Sequence, residues 1–302
     1  MKAELPVLGL FVVFVVLPLL AVFALGLFGP VEMLNALAKA RAGHVRSEGV
    51  AYGTLLRQKL DVYTPVAPAP AGGWPVVVFF YGGSWNRGAR SEYQFLGGAL
   101  AARGILTLVA DYRLYPAVRY PDFLRDSALA LAFGLERSAQ LGGNDQRVFV
   151  MGHSAGAYNA SMLALDVRWL AEAGHDPNEL AGFIGLAGPY DFFPTENPDA
   201  QPVFFHPNYP PNAEPIEFPS VASPRSFLGA PVHDDVVSPT RSTKSLAARL
   251  QAAGVPVTLR LYERASHTTL IGAFAWPLRF VAPVLDDVVE FIDVAPPASA
   301  TF

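Results

Sequence analysis

The chain has 302 residues, 52% of them hydrophobic, and carries 26 acidic side chains against 22 lysines and arginines. A net charge of -4 leaves no basic surface of the kind a nucleic-acid backbone requires, so no nucleic-acid partner is expected. The absence of cysteine excludes disulfides, thiolate metal sites and a cysteine nucleophile.

The first element is an uncharged run, LPVLGLFVVFVVLPLLAVFALGLF, from Leu5 to Phe28. As a helix it would extend about 36 Å at about 1.5 Å per residue, against about 30 Å of bilayer hydrocarbon. It is longer than the core of a cleaved signal, so residues 1–30 are expected to form a single transmembrane anchor. The short tail before the span favours placing the rest of the chain outside the cytoplasm. Residues 31–48 are expected as a short helical linker, and 49–302 as one domain.

Within that domain GTLLRQKLDVYTP alternates apolar and polar residues up to Pro65, which predicts antiparallel strands near a sheet edge. Uninterrupted apolar strands then alternate with helices. PVVVFFYGG is a strand stopped by glycines, a helix follows near 92–103, and GILTLVADY is the next strand. Residues 122–140 read as a helix, RVFVMG as a strand, 154–165 as a helix and AGFIGLAG as a strand. After an interruption come a helix over 242–253, the strand VPVTLRLYE and the closing amphipathic helix PVLDDVVEFIDV. This rhythm predicts an α/β fold with a mostly parallel central sheet and helices on both faces. The interruption, about 192–224, holds nine prolines and many aromatics; it is expected to be a lid over a site.

Gly152-His153-Ser154-Ala155-Gly156 falls between the strand RVFVM and a helix. Small flanking residues permit a sharp turn, and the helix N-terminus aims N–H groups at a developing oxyanion. Ser154 is therefore the candidate nucleophile. A serine hydroxyl needs a base. Of six histidines, His267 in RASHTTL directly follows the last strand and is the candidate. His153 lies inside the turn and is expected to point away, His44 lies in the linker, and His175 and His206 lie in loops. The candidate acid to orient the base is Asp234 in HDDVVSP, with Asp235 beside it and Asp191 in GPYDF as rivals. Oxyanion donors are expected from the amides of Ala155, Gly83 and Ser84, the last two in the loop FFYGGSW. Asp111, Tyr112, Arg113 and Asp126 read as a polar network under that loop. The run His233-Asp234-Asp235 has no second cluster to complete a metal shell, so neither metal nor cofactor is expected.

The stretches YGGSWNRG, ADYRLYPAVRYPDFLRD, GGNDQRVFVMGHSAGAYNA, LAGPYDF, HDDVVSP and ASHTTL together resemble the α/β-hydrolase carboxylesterases. The likeness is to the feruloyl-esterase-like and hormone-sensitive-lipase-like groups, and it runs from about Tyr52 to Val294. It implies a serine hydrolase of small apolar acyl or aryl esters acting through Ser154, Asp234 and His267. Two departures stand out: those groups carry a histidine where this chain has Tyr81, and the glycine preceding the acid is displaced to Gly229. An amidase or arylformamidase on the same residues, and a non-catalytic membrane-anchored binding module, are the competing readings.

Overall fold

The computed structural model describes residues 29–39 and 43–294. The apolar run 5–28, expected as an anchor, lies outside the described residues. Among the described residues no helix is long and apolar enough to cross a membrane.

Eight strands form one sheet: β1 His44–Ala51, β2 Lys59–Pro65, β3 Trp74–Phe80, β4 Leu106–Ala110, β5 Gly143–His153, β6 Gly182–Leu186, β7 Ser226–Pro231 and β8 Val257–Tyr262. Their order is β1-β2-β4-β3-β5-β6-β7-β8. The pairs β1–β2 and β2–β4 are antiparallel, and every other pair is parallel. Of GTLLRQKLDVYTP, only Lys59–Pro65 is a strand, antiparallel to both its neighbours; residues 53–57 are bend and turn, and the edge partner β1 lies before the stretch. The segment expected as a linker, 31–48, is a correction. It carries helix α1 (Pro30–Lys39) and then enters the sheet as its edge strand, so the folded unit begins before residue 49. Polar spacing had disguised β1: its residues are half-buried or exposed, as befits an edge strand.

Uninterrupted apolar sequence makes the central strands. All five residues of β4 and of β6 are buried, and β3 is buried after Trp74. The remaining helices are α2 Gln94–Ala101, α3 Asp122–Arg137, α4 Ala155–Leu165, α5 Val167–Glu172, α6 Ser245–Ala252, α7 His267–Gly272 and α8 Val284–Asp293. Crossover handedness distributes them. The β3-to-β4 connection runs one way across the sheet while β4-to-β5 runs back the other way, so right-handed crossovers put α2 and α3 on opposite faces. α8 packs with α2, whereas α4 and α5 pack with α3. The reversal occurs at β3, and the crevice at the C-terminal ends of β3 and β5 is the place where such sheets bind ligands. The GGSW loop and Ser154 both emerge there.

The insertion 192–224 forms a single 3₁₀ turn, Pro215–Glu217, and is otherwise turns and loop. It is nonetheless packed. Val203 and Phe204 are fully buried, and the Phe204 ring meets Trp85, Tyr120, Phe123 and Tyr158 edge-on or tilted. Tyr158 reaches from α4 to donate to the Ala213 carbonyl at 2.7 Å.

Candidate active site

β5 ends at His153 and α4 begins at Ala155, leaving Ser154 alone in the turn with φ 54° and ψ -124°. A non-glycine residue adopts that conformation only when its surroundings hold it there. The flanking glycines allow it. A Cβ on Gly152 would lie 2.1 Å from the Gly156 carbonyl oxygen, and one on Gly156 would lie 2.1 Å from the Phe80 carbonyl oxygen. Strand and helix therefore touch through backbone, and the Ser154 amide donates to the Leu186 carbonyl on β6 at 2.9 Å. The side chain is left facing the crevice, beside the free first amides of α4.

His267 is the first residue of α7, and Ser266 caps that helix in a reciprocal box with Thr269. The His267 Nε2 lies 2.9 Å from the Ser154 Oγ, and its Nδ1 lies 2.8 Å from the Asp234 Oδ2. A carboxylate can only accept, so Nδ1 carries the proton and Nε2 is the acceptor facing the serine hydroxyl. The other Asp234 oxygen, Oδ1, accepts the amides of Val236 at 2.8 Å and Val237 at 3.0 Å. The Asp234 side chain is fully buried. Burial pushes its carboxyl upward, but the His267 hydrogen bond and charge and the two amides outweigh this, and its pKa is lowered.

The alternative acids are elsewhere engaged. Asp235 is exposed, and the Asp191 carboxylate accepts from the Arg241 guanidinium at 2.9 Å. The remaining histidines do not meet Ser154. His175 sits between Glu179 and Glu136, His206 meets Tyr209, and His44 packs on the Tyr63 ring. His153 departs from the expectation that it points away. Its ring is buried against that of His267, with centroids 5.0 Å apart, and its Nε2 lies 3.0 Å from the His267 carbonyl oxygen.

Opposite the turn, Gly83, Ser84 and Trp85 all have positive φ, at 121°, 50° and 57°. A Cβ on Gly82 would lie 2.9 Å from the Ser154 Cβ, so this loop passes directly over the serine. Ser84 and Ala155 line the same cleft as Ser154; Gly83 turns beneath, its carbonyl accepting the amides of Asn86 and Arg87 at 3.1 Å. Tyr81 braces the loop from below. Its buried hydroxyl donates to the Asp111 Oδ1 at 2.7 Å and accepts from the Arg57 Nη2 at 2.7 Å, while Arg57 also donates to the Gly88 carbonyl. The Tyr81 ring stacks on Tyr93 and Tyr112. Asp126 completes the polar layer by accepting from Arg113 and Gln58.

The cleft encloses roughly 350 Å³. One wall is Ser84, Trp85 and Ala155; the insertion supplies Phe192, Pro194, Thr195, Glu196, Asn197 and Ala200. Asn197 donates to the Ser84 Oγ at 3.2 Å, and Arg87 pairs with Asp199 at 2.7 Å, so the insertion is fastened to the glycine loop. With Asp191, Glu196 and Arg241 on its walls, the cleft is more polar than the aromatic content of 192–224 suggests.

Known proteins share this frame. The Mycobacterium marinum esterase LipW superposes with a TM-score of 0.69 at 21% identity, covering 87% of each chain. Butyrate-bound esterase Est2 of Thermogutta terrifontis gives 0.66 at 20% identity, covering 85% of this chain and 97% of that one. In sequence, the isoprenylcysteine alpha-carbonyl methylesterase ICME of Arabidopsis thaliana is 28% identical over 264 residues, covering 80% of this chain and 61% of that protein. Esterase LipC of Mycobacterium tuberculosis is 32% identical over 167 residues, covering 52% of this chain and 40% of that one. The chain spans about half the length of the curated relatives it matches. The BD-FAE family model matches residues 60–250, from the antiparallel corner through the Ser154 turn and Asp234 to α6. On that match, which covers more than half of the sequence, and on its α/β-hydrolase fold, the chain belongs to the BD-FAE family.

Proposed function

We propose that this protein is a serine hydrolase of carboxylic esters. The observation that carries the reading is the hydrogen-bonded series from Ser154 through His267 to Asp234. In it the base has its acceptor nitrogen on the nucleophile and its protonated nitrogen on a buried carboxylate. His267 takes the Ser154 proton as Oγ attacks the ester carbonyl, and Asp234 stabilises the resulting imidazolium. The negative oxygen is received by the amides of Ala155, Ser84 and Gly83. Collapse of the tetrahedral adduct expels the alcohol, which leaves with the proton from His267. Water, deprotonated by His267, then releases the acid and restores Ser154.

The substrate we propose is an ester whose acyl part is small enough for a cleft of roughly 350 Å³. Phe192, Trp85 and Ala200 offer apolar and aryl contact, and the Asp191–Arg241 side offers polar contact. The similarity to the Arabidopsis isoprenylcysteine methylesterase adds the methyl ester of an isoprenylcysteine to the candidates. We further propose that residues 5–28 anchor the chain in a membrane with its catalytic domain outside the cytoplasm. Their 24 uncharged residues support this. Deletion of 1–28 should move the protein from the membrane to the supernatant fraction.

A fluorophosphonate probe tests the chemistry directly. It should label the wild type and leave Ser154→Ala unlabelled; equal labelling of both, or of neither, refutes the assignment. Hydrolysis of p-nitrophenyl and aryl esters of graded length, with an isoprenylcysteine methyl ester and an aryl formamide alongside, then separates the esterase from the amidase reading.

A further inference from the structure

The residue before the nucleophile makes a contact that the reaction as described leaves unused. His153 is 5% exposed, and its Nε2 lies 3.0 Å from the main-chain carbonyl oxygen of His267. A carbonyl only accepts, so Nε2 carries the hydrogen and donates. The other ring nitrogen, Nδ1, is buried and has no hydrogen-bond partner among the described residues. It faces the glycine loop: a Cβ on Gly82 would come within 3.4 Å of it. The ring is thus fixed as a single neutral tautomer. Burial, reinforced by the neighbouring His267, pushes its pKa down to about 3.

Two consecutive residues therefore grip one. Ser154 meets the His267 side chain at 2.9 Å, and His153 holds the His267 main chain at 3.0 Å. The strand end that carries the nucleophile is tied to the helix start that carries the base. His267 enters the site on a loop after β8, at the far side of β6 and β7 from β5, so this main-chain hydrogen bond ties together segments that the sheet keeps apart. Resting on the serine-hydrolase reading above, we infer that His153 is a positioning residue, a latch that sets the distance between Ser154 and His267 through the His267 carbonyl. Its neutrality suits the task. His267 becomes a cation during proton transfer, and a second cation with its ring centre 5.0 Å away would oppose that step. A neutral donor holds the base without disfavouring its charged form.

Three substitutions separate a latch from simple packing. His153→Leu keeps the bulk and removes the donor, His153→Gln restores an N–H of similar reach, and His153→Asn is too short to reach the carbonyl. Misplacement of a catalytic group by about 1 Å costs on the order of 100-fold. For the Leu variant we expect kcat on a p-nitrophenyl ester to fall on the order of 10- to 100-fold. Its KM should stay within about twofold, since the ring does not line the cleft, and the Gln variant should return to within about threefold of the wild type. Circular dichroism and thermal melting establish that each variant is folded. A folded Leu variant with wild-type kcat overturns the inference, and so does a Gln variant as slow as Leu. If the Leu variant does not fold, the Gln and Asn pair decides: equal rates overturn the latch, and a faster Gln variant supports it. Fluorophosphonate labelling of the wild type keeps the two levels apart. An unlabelled wild type removes the serine-hydrolase reading, whereas a labelled, active wild type beside an equally active Leu variant removes only the latch.

Discussion

Asp234→Asn changes one atom's chemistry while keeping the shape of the side chain. The carboxylate is fully buried, takes the His267 Nδ1–H on Oδ2 at 2.8 Å and takes two amides on Oδ1. An asparagine can leave its carbonyl oxygen on Val236 and Val237, so the loop keeps its form. Its NH₂ then faces the His267 Nδ1 and can only donate. The imidazole must shift its proton to Nε2, where it faces Ser154 as a donor and can no longer accept the serine proton. Wrong-tautomer variants of this kind lose roughly 10⁴ in turnover, or about 5.4 kcal/mol at about 1.36 kcal/mol per tenfold. The stability effect should be far smaller, about 1–2 kcal/mol, because one charge-assisted bond is replaced by a neutral one. That amounts to a few degrees in melting temperature for a domain of this size. Steady-state hydrolysis of a p-nitrophenyl ester, with thermal melts on the same samples, measures both. A folded variant within tenfold of the wild-type kcat refutes the argument. So does a loss of similar size in Asp191→Asn, whose carboxylate is paired with Arg241 instead.

Other expectations follow from the same geometry. Tyr81→Phe removes a buried hydroxyl that serves both Asp111 and Arg57, and should lower unfolding free energy by about 1–3 kcal/mol in a denaturant titration; an unchanged midpoint would contradict the bracing role. Gly156→Ala places a methyl 2.1 Å from the Phe80 carbonyl oxygen and should abolish soluble, folded expression. Glu214 accepts the amides of Phe192 and Phe193, yet burial, the larger influence, leaves its pKa raised. The folded state therefore binds this proton more tightly than the unfolded chain, and stability declines as pH rises from the ordinary 4.5 through the raised value. Glu214→Gln keeps an acceptor oxygen without the charge, so its melting temperature should equal or exceed the wild type at pH 8 and the difference should shrink toward pH 4. A larger deficit at pH 8 than at pH 4 would refute the sign.

What the sequence disclosed is what local pattern encodes. The turn around Ser154 is written in five adjacent residues, because the glycines that let strand and helix meet must stand two positions either side of the serine. The sheet interior is written in uninterrupted apolar runs such as VVVFF and LTLVA. Chain order places His267, since a parallel sheet returns each strand end to the same edge. The linker assignment failed because β1 is an edge strand with no buried face to impose alternation. Asp234 and Asp235 are adjacent and chemically identical, and only the three-dimensional path of the loop turns one carboxylate to His267 and leaves the other in solvent. Tyr81 looked like a departure because its partners stand 24 and 30 positions away, at Arg57 and Asp111. Nothing in the local sequence announces that a hydroxyl will find both a donor and an acceptor there. His153 is harder still, since its partner is a main-chain carbonyl and any residue would supply one.

The two walls of the cleft are held by interactions of different strength, and this divides their work. On the glycine-loop side, Asp111 accepts from Tyr81 and from the Arg90 amide and guanidinium, and all of these lie at 20% exposure or less. Removing the Arg90 guanidinium would take a salt bridge from a buried carboxylate, so that wall is the less tolerant of change. Ser154 is likewise held by the hydrogen bond its backbone N–H donates to the Leu186 carbonyl on β6. The insertion meets this frame at the Arg87–Asp199 pair, whose side chains are 66% and 41% exposed, and at the neutral Asn197–Ser84 bond. An exposed pair contributes about 0–1 kcal/mol, so the fastening at the cleft mouth is weak even though Phe204 anchors the same segment in the core. The groups proposed to perform the chemistry thus sit on the more densely bonded half. Thr195, Glu196 and Asn197, which line the cleft, sit on the more weakly fastened half. On the proposed serine-hydrolase reading, exchanging residues 195–197 should change the relative rates on esters of graded length more than it changes fluorophosphonate labelling of Ser154.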